Sequence, residues 1–176
     1  MNPVETALPL IHLKPGELLF TREPALIVTV LGSCITVTLF CVRPCCAGIC
    51  HAMLSHPADS AHSGNLPGRF KYLSEAIPFM AAHFRNLGIH PPAIEVKMFG
   101  GGCVTPHRPC DPHSECLIGN ANIHTARQLL EAESLVLKAV NVGGLCGRKL
   151  LFNTQTGEVK HKYLTRVNPH KTCERQ

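Results

Sequence analysis

The chain has 176 residues, 45% hydrophobic and 16% charged, which fits one compact domain with its own core and excludes a disordered tail or a long coiled coil. No apolar run approaches the ~20 residues of a membrane-spanning helix, and Glu5 stands where a secretory signal carries basic residues, so the expectation is a cytoplasmic protein without membrane insertion. A net charge of +5 with no Trp and two Tyr gives mild attraction to acidic partners, not the basic, aromatic surface of a nucleic-acid binder.

Residues 17–21 and 25–31 are largely apolar and separated by Pro24; both read as strands. Residues 35–40 alternate, a strand with one polar face, and 48–54 form a fourth, followed by a polar loop to Gly68. Over 69–87, Tyr72, Leu73, Ala76, Ile77, Met80, Ala81, Phe84 and Leu87 recur at three- and four-residue steps, an amphipathic helix. Gly88 closes it and Pro78 predicts a bend, because proline removes a backbone hydrogen bond. Residues 94–99 alternate again and run into Gly100, Gly101 and Gly102. A second helix is predicted from Asn120, as N-cap, to 133, with Ile123, Ala126, Leu129 and Leu130 inward. Strands at 136–142, 149–153 and 159–164 follow, the last two joined by a turn over 154–157.

This order predicts an α/β (or α+β) single-domain layered sandwich: a mixed sheet with two main helices packed on it. The chain divides into an N-terminal extension, 1–16, a domain, 17–164, and a C-terminal tail, 165–176.

Ten cysteines fall short of the density of small disulfide-built secreted domains, so most thiols are expected reduced, packed as small hydrophobes. Cys46 and Cys50-His51 imitate a haem-attachment motif with three intervening residues instead of two. Cys103, His107, Cys110, His113 and Cys116 form a Cys/His-rich loop whose spacing fits no common zinc finger. Neither supports a cofactor or a metal, although a zinc- or redox-responsive loop stays open. The glycines at 100–102 and 143–144 lack the Lys-Ser/Thr of a phosphate loop and read as tight turns.

The most informative stretch is Leu31-Gly32-Ser33-Cys34, with His51 downstream. A small-residue turn puts the Cys34 sulfur at a strand start, beside backbone N–H groups of Gly32, Ser33 and Cys34 that can lower a thiol pKa or hold an oxyanion. If 35–40 and 48–54 pair antiparallel, His51 returns towards Cys34, and a thiol beside an imidazole is the minimal activated nucleophile. Spacing alone leaves open the plainer reading of a buried thiol and an unrelated histidine.

The run Thr29-Val-Leu-Gly-Ser-Cys34 followed by His51-Ala-Met-Leu54 resembles the chemoreceptor glutamine deamidases (CheD). The likeness continues through Tyr72, Ala76-Ile77, Lys97-Met-Phe-Gly-Gly101, Ile118-Gly119 with Asn122, Val142-Gly-Gly144, Gly147-Arg148 and Thr156-Gly157, spanning about residues 17–164. It implies a thiol hydrolase of papain-like type that converts particular glutamines of methyl-accepting chemotaxis receptors to glutamate through a cysteine thioester. Cys34 would be the nucleophile and His51 the base. The family's third residue, a threonine six positions before the cysteine, falls on Val28, and Thr29 lies one residue later. On a strand that offset points to the opposite face: either a bulge brings Thr29 in, or His51 is oriented differently. Family members also pair with a chemotaxis phosphatase, so a binding role with little or no turnover is the alternative.

Overall fold

The computed structural model describes residues 7–57, 68–104 and 115–164; most of the polar loop before Gly68 and of the Cys/His-rich loop lies outside the described residues. Among those described, the strands form two sheets. One has four strands in the order β1 (Leu10–His12), β3 (Leu26–Leu31), β8 (Arg148–Asn153), β9 (Val159–Tyr163). The other has five: β2 (Leu18–Thr21), β5 (Cys46–Ala52), β4 (Ile35–Cys41), β6 (Glu95–Gly100), β7 (Leu137–Val142). Both are mixed: β1–β3 and β6–β7 are parallel, the remaining pairs antiparallel. The helices are α1 (Leu73–Asn86) and α2 (Glu115–Ala132). None is long and apolar enough to cross a membrane among the described residues.

Period-two alternation explains the layering. On β4, Ile35, Val37, Leu39 and Cys41 join Ile77, Met80, Phe84, Ala126 and Leu130 in the core under the helices. Phe40 on the opposite face packs with Ala47, Ile49, Ile27 and Phe152 between the two sheets. β4 and β5 are thus buried on both faces, whereas β3 leaves Val30 52% exposed. The predicted layered α/β sandwich stands, with its strands divided between two sheets. The chain passes from one to the other through Gly32, Ser33 and Cys34, between β3 and β4.

The predicted closure of α1 holds: Gly88, at φ +74°, donates to Arg85 O and Ile89 N to Phe84 O at 2.9 and 3.0 Å, the paired bonds of a left-handed helix end. α1 runs through Pro78 as one element. Two elements depart from expectation. β1 has three residues, all exposed, and so no burial pattern in the sequence. α2 begins at Glu115, so Asn120 is helix interior and not an N-cap. Gly119 lies inside the helix, and a Cβ there would stand 2.6 Å from Gly101 O; the missing side chain lets the helix meet the glycine loop.

The thiol expectation holds in part. Cys41, Cys46 and Cys50 are buried; burial pushes the Cys50 thiol up to about 11 and raises Cys46 as well, so these pack as hydrophobes. Cys103 and Cys116, however, form a disulfide with Cα atoms 4.4 Å apart, and Cys146 is also disulfide-bonded. The end of β6 and the start of α2 bring Cys103 and Cys116 side by side, a proximity that linear spacing does not reveal.

Candidate active site

The crossing that carries Cys34 is held by its carbonyls. Gly102 N donates to Gly32 O at 2.7 Å and Gly101 N to Cys34 O at 2.8 Å, while Asn122 Nδ2 donates to Ser33 O at 3.1 Å. Gly100 takes φ +115°, and a Cβ on it would lie 2.0 Å from Cys34 O; only glycine permits that approach. The 100–102 glycines therefore serve close backbone packing within the turn. Arg148, 2% exposed, fastens this loop from the other sheet, donating to Gly100 O (3.0 Å), Gly143 O (2.5 Å) and Asn141 Oδ1 (2.6 Å).

β4 and β5 pair antiparallel, as expected, with Thr36 opposite His51. Cys34 precedes Ile35 and packs with Leu31, Phe99 and Leu150 between the sheets. Phe99 pairs with Thr36, and Thr36 with His51, so Cys34 packs against the sheet face to which His51 belongs.

His51 is 1% exposed, and its Nδ1 lies 2.7 Å from Thr29 Oγ1, which donates to Leu13 O at 2.9 Å. A carbonyl only accepts, so the single Thr29 hydrogen goes to Leu13 and Oγ1 accepts from His51 Nδ1–H. This fixes the tautomer and leaves the lone pair on Nε2, which is buried without a hydrogen-bond partner among the described residues. Thr36 Oγ1, from the residue directly opposite, is buried in the same condition. Burial lowers the His51 pKa from 6.5 to about 4, against the upward pull of the Leu13 carbonyl and the Glu17 carboxylate. The ring is neutral at neutral pH.

Thr29 reaches His51 without a bulge: β3 pairs with β8 in unbroken register from Leu26↔Asn153 to Leu31↔Arg148. Thr29 shares the inward face with Ile27 and Leu31. The expected conflict of parity dissolves because Thr29 and Cys34 stand on different sheets, and strand alternation does not carry across the crossing between them.

The structure thus brings Thr29 and His51 into contact and sets Cys34, Gly32 and Ser33 on the adjoining turn. The Leu13 carbonyl, a backbone group, has no sequence signal. Asn122 has one: it falls on the inward stripe of α2 with Gly119, Ile123, Ala126 and Leu130, a polar residue where apolar ones are expected. Among the described residues no three His, Cys, Asp or Glu side chains are grouped to hold a metal. Cys46 and Cys50 lie under the helices, away from His51.

Residues 53–163 match the family described as CheD chemotactic sensory transduction. The chain is 45% identical over 162 residues, 91% of its own length and 75% of the relative's, to "Probable chemoreceptor glutamine deamidase CheD" of Oleidesulfovibrio alaskensis. It is 42% identical to "Probable chemoreceptor glutamine deamidase CheD 2" of Geobacter sulfurreducens, covering 91% of this chain and 93% of that one. Among solved structures, a Bacillus licheniformis hypothetical protein, YfiH, aligns with a TM-score of 0.45 at 17% identity, over 74% of this chain and 51% of that one.

Proposed function

The chain belongs to the CheD family, and from that premise we propose that it hydrolyses the side-chain amide of glutamines on methyl-accepting chemotaxis receptors, releasing ammonia and leaving glutamate. The observation that carries the mechanism is the buried imidazole of His51, fixed through Nδ1 by Thr29 at 2.7 Å and presenting an Nε2 with no hydrogen-bond partner among the described residues.

In the resting site the ring is neutral, so Nε2 takes the Cys34 proton as the sulfur attacks the amide carbonyl carbon. The carbonyl π electrons move to oxygen, and N–H groups of the Gly32–Cys34 turn hold that oxyanion; one such donor is worth about 2.7–4 kcal/mol. The imidazolium then gives its proton to the departing nitrogen, which leaves as ammonia, and a thioester remains. Water, deprotonated by Nε2, attacks the thioester; the thiolate leaves and is reprotonated, and the receptor carries glutamate. A metal or cofactor has no step in this scheme.

The receptor cytoplasmic region is the substrate surface, which places the protein in the cytoplasm, and the +5 charge favours encounter with an acidic helical partner. A chemotaxis phosphatase is a further partner in this proposal. The alternative is a binding role beside a chemotaxis phosphatase with little or no turnover; the Thr29–His51 contact supports the enzymatic reading over it.

Incubation with a receptor cytoplasmic fragment, followed by mass spectrometry, tests the reading. Glutamine-to-glutamate conversion by the parent and none by Cys34→Ala is the expected result. Conversion by both variants overturns the mechanism, and conversion by neither overturns the activity.

A further inference from the structure

We infer that Asn122 is a positioning residue that aims the oxyanion donor of the nucleophile turn; this rests on the reading of Cys34 as nucleophile. Asn122 is 1% exposed, and its amide is fully committed inside the protein. Nδ2 donates to Ser33 O at 3.1 Å and to Met53 O at 2.8 Å, and Oδ1 accepts from Ser55 Oγ at 3.0 Å. An amide nitrogen carries two hydrogens. Both are spent, so Asn122 has none to offer a substrate and acts through the backbone it holds.

The consequence follows from peptide planarity. In a trans peptide unit the C=O and N–H point to opposite sides. Drawing the Ser33 carbonyl towards α2 turns the N–H of Cys34, the other half of that unit, away from α2. The adjacent unit is fixed likewise, with Gly32 O held by Gly102 N at 2.7 Å, which directs the Ser33 N–H. The nucleophile's own amide is therefore aimed by a side chain on a different element.

The second bond does a separate job. Met53 follows His51 by two residues on the same chain segment, so the one amide ties the segment carrying the base to the turn carrying the sulfur. Gly119 makes this reach available, because its missing Cβ lets α2 close on Gly101.

The test uses the full chain with Asn122→Ala and, as a milder change that retains one donor, Asn122→Ser. Two rates are read: deamidation of a receptor fragment, resolved into kcat and KM, and alkylation of Cys34 by iodoacetamide. Alkylation displaces iodide directly and forms no oxyanion, so it reports thiol reactivity and site integrity without the donor. In Asn122→Ala, kcat falls about 100- to 1,000-fold, as for loss of an oxyanion donor, with KM and the alkylation rate within about threefold of the parent. Asn122→Ser falls between the two. Unchanged kcat overturns the inference, and so does alkylation that declines in step with kcat in both variants, which marks general disorder of the site. A parent that converts no glutamine overturns the reading of Cys34 and this inference with it, whereas an active parent with unaffected variants overturns the inference alone.

Discussion

Thr29 spends its hydroxyl hydrogen on Leu13 O and its oxygen on His51 Nδ1, so one small side chain determines which imidazole nitrogen keeps its lone pair. Thr29→Val is nearly isosteric yet removes the hydroxyl that bridges Leu13 O and His51 Nδ1, a cost of about 1–3 kcal/mol. Turnover falls about 10- to 100-fold, in the range seen when the partner that orients a functional histidine is removed. Thr29→Ser keeps the hydroxyl and restores most of the rate. Deamidation rates and urea midpoints for the two variants check this; a Val variant as active as the Ser variant contradicts it. This part of the site was half legible in the sequence. Cys34 and His51 stood out by residue type and by the likeness of their surroundings, but whether Thr29 belonged with them depended on a change of sheet that no local pattern records.

At the scale of elements, the position of α2 against the glycine loop decides the geometry of the turn. Helix propensity alone favours Gly119→Ala by about 1 kcal/mol. Here the added methyl would stand 2.6 Å from Gly101 O and 3.0 Å from Gly101 C, and backbone atoms yield poorly. The variant loses about 1–3 kcal/mol of stability, the usual cost of overpacking, and deamidation slows as α2 withdraws from Ser33 O. A urea titration reads the first; a neutral or stabilised Gly119→Ala contradicts the packing account.

The same contact explains what the sequence could and could not show. Apolar runs, alternation and helical periodicity exposed β2 to β9, α1 and most of α2, because each buries at least one face and leaves a pattern. The start of α2 was hidden because Gly119, one turn in, serves tertiary packing against local propensity. β1 was hidden because its three residues are exposed and only pairing with β3 makes them a strand. The disulfide between Cys103 and Cys116 belongs with these, since the thiols meet only when β6 and α2 are in place.

For the whole molecule, the decisive feature is the seam between the two sheets, where Cys34 and His51 sit on one side and Thr29 on the other. Sealing an imidazole there ties global stability to pH. His51 has an ordinary value of 6.5 and about 4 in the fold. Above about pH 6.5 the ring is neutral in both states and costs nothing; below it the unfolded chain binds a proton that the fold refuses, so stability falls as pH drops towards 4. The full penalty is about 3 kcal/mol. Between about pH 7 and pH 4.5, the parent loses about 2–3 kcal/mol more than His51→Gln in urea unfolding; parallel losses contradict a neutral buried ring.

The deamidation mechanism requires a glutamine acyl group to pass through the Cys34 sulfur, and hydroxylamine trapping tests that step most directly. Added during turnover of a receptor fragment, hydroxylamine intercepts a thioester and yields a glutamyl hydroxamate, which mass spectrometry resolves from glutamate. Hydroxamate is expected at the converted glutamines with the parent protein and none with Cys34→Ala. Conversion to glutamate with no hydroxamate at saturating hydroxylamine, or hydroxamate that persists in Cys34→Ala, would contradict that mechanism.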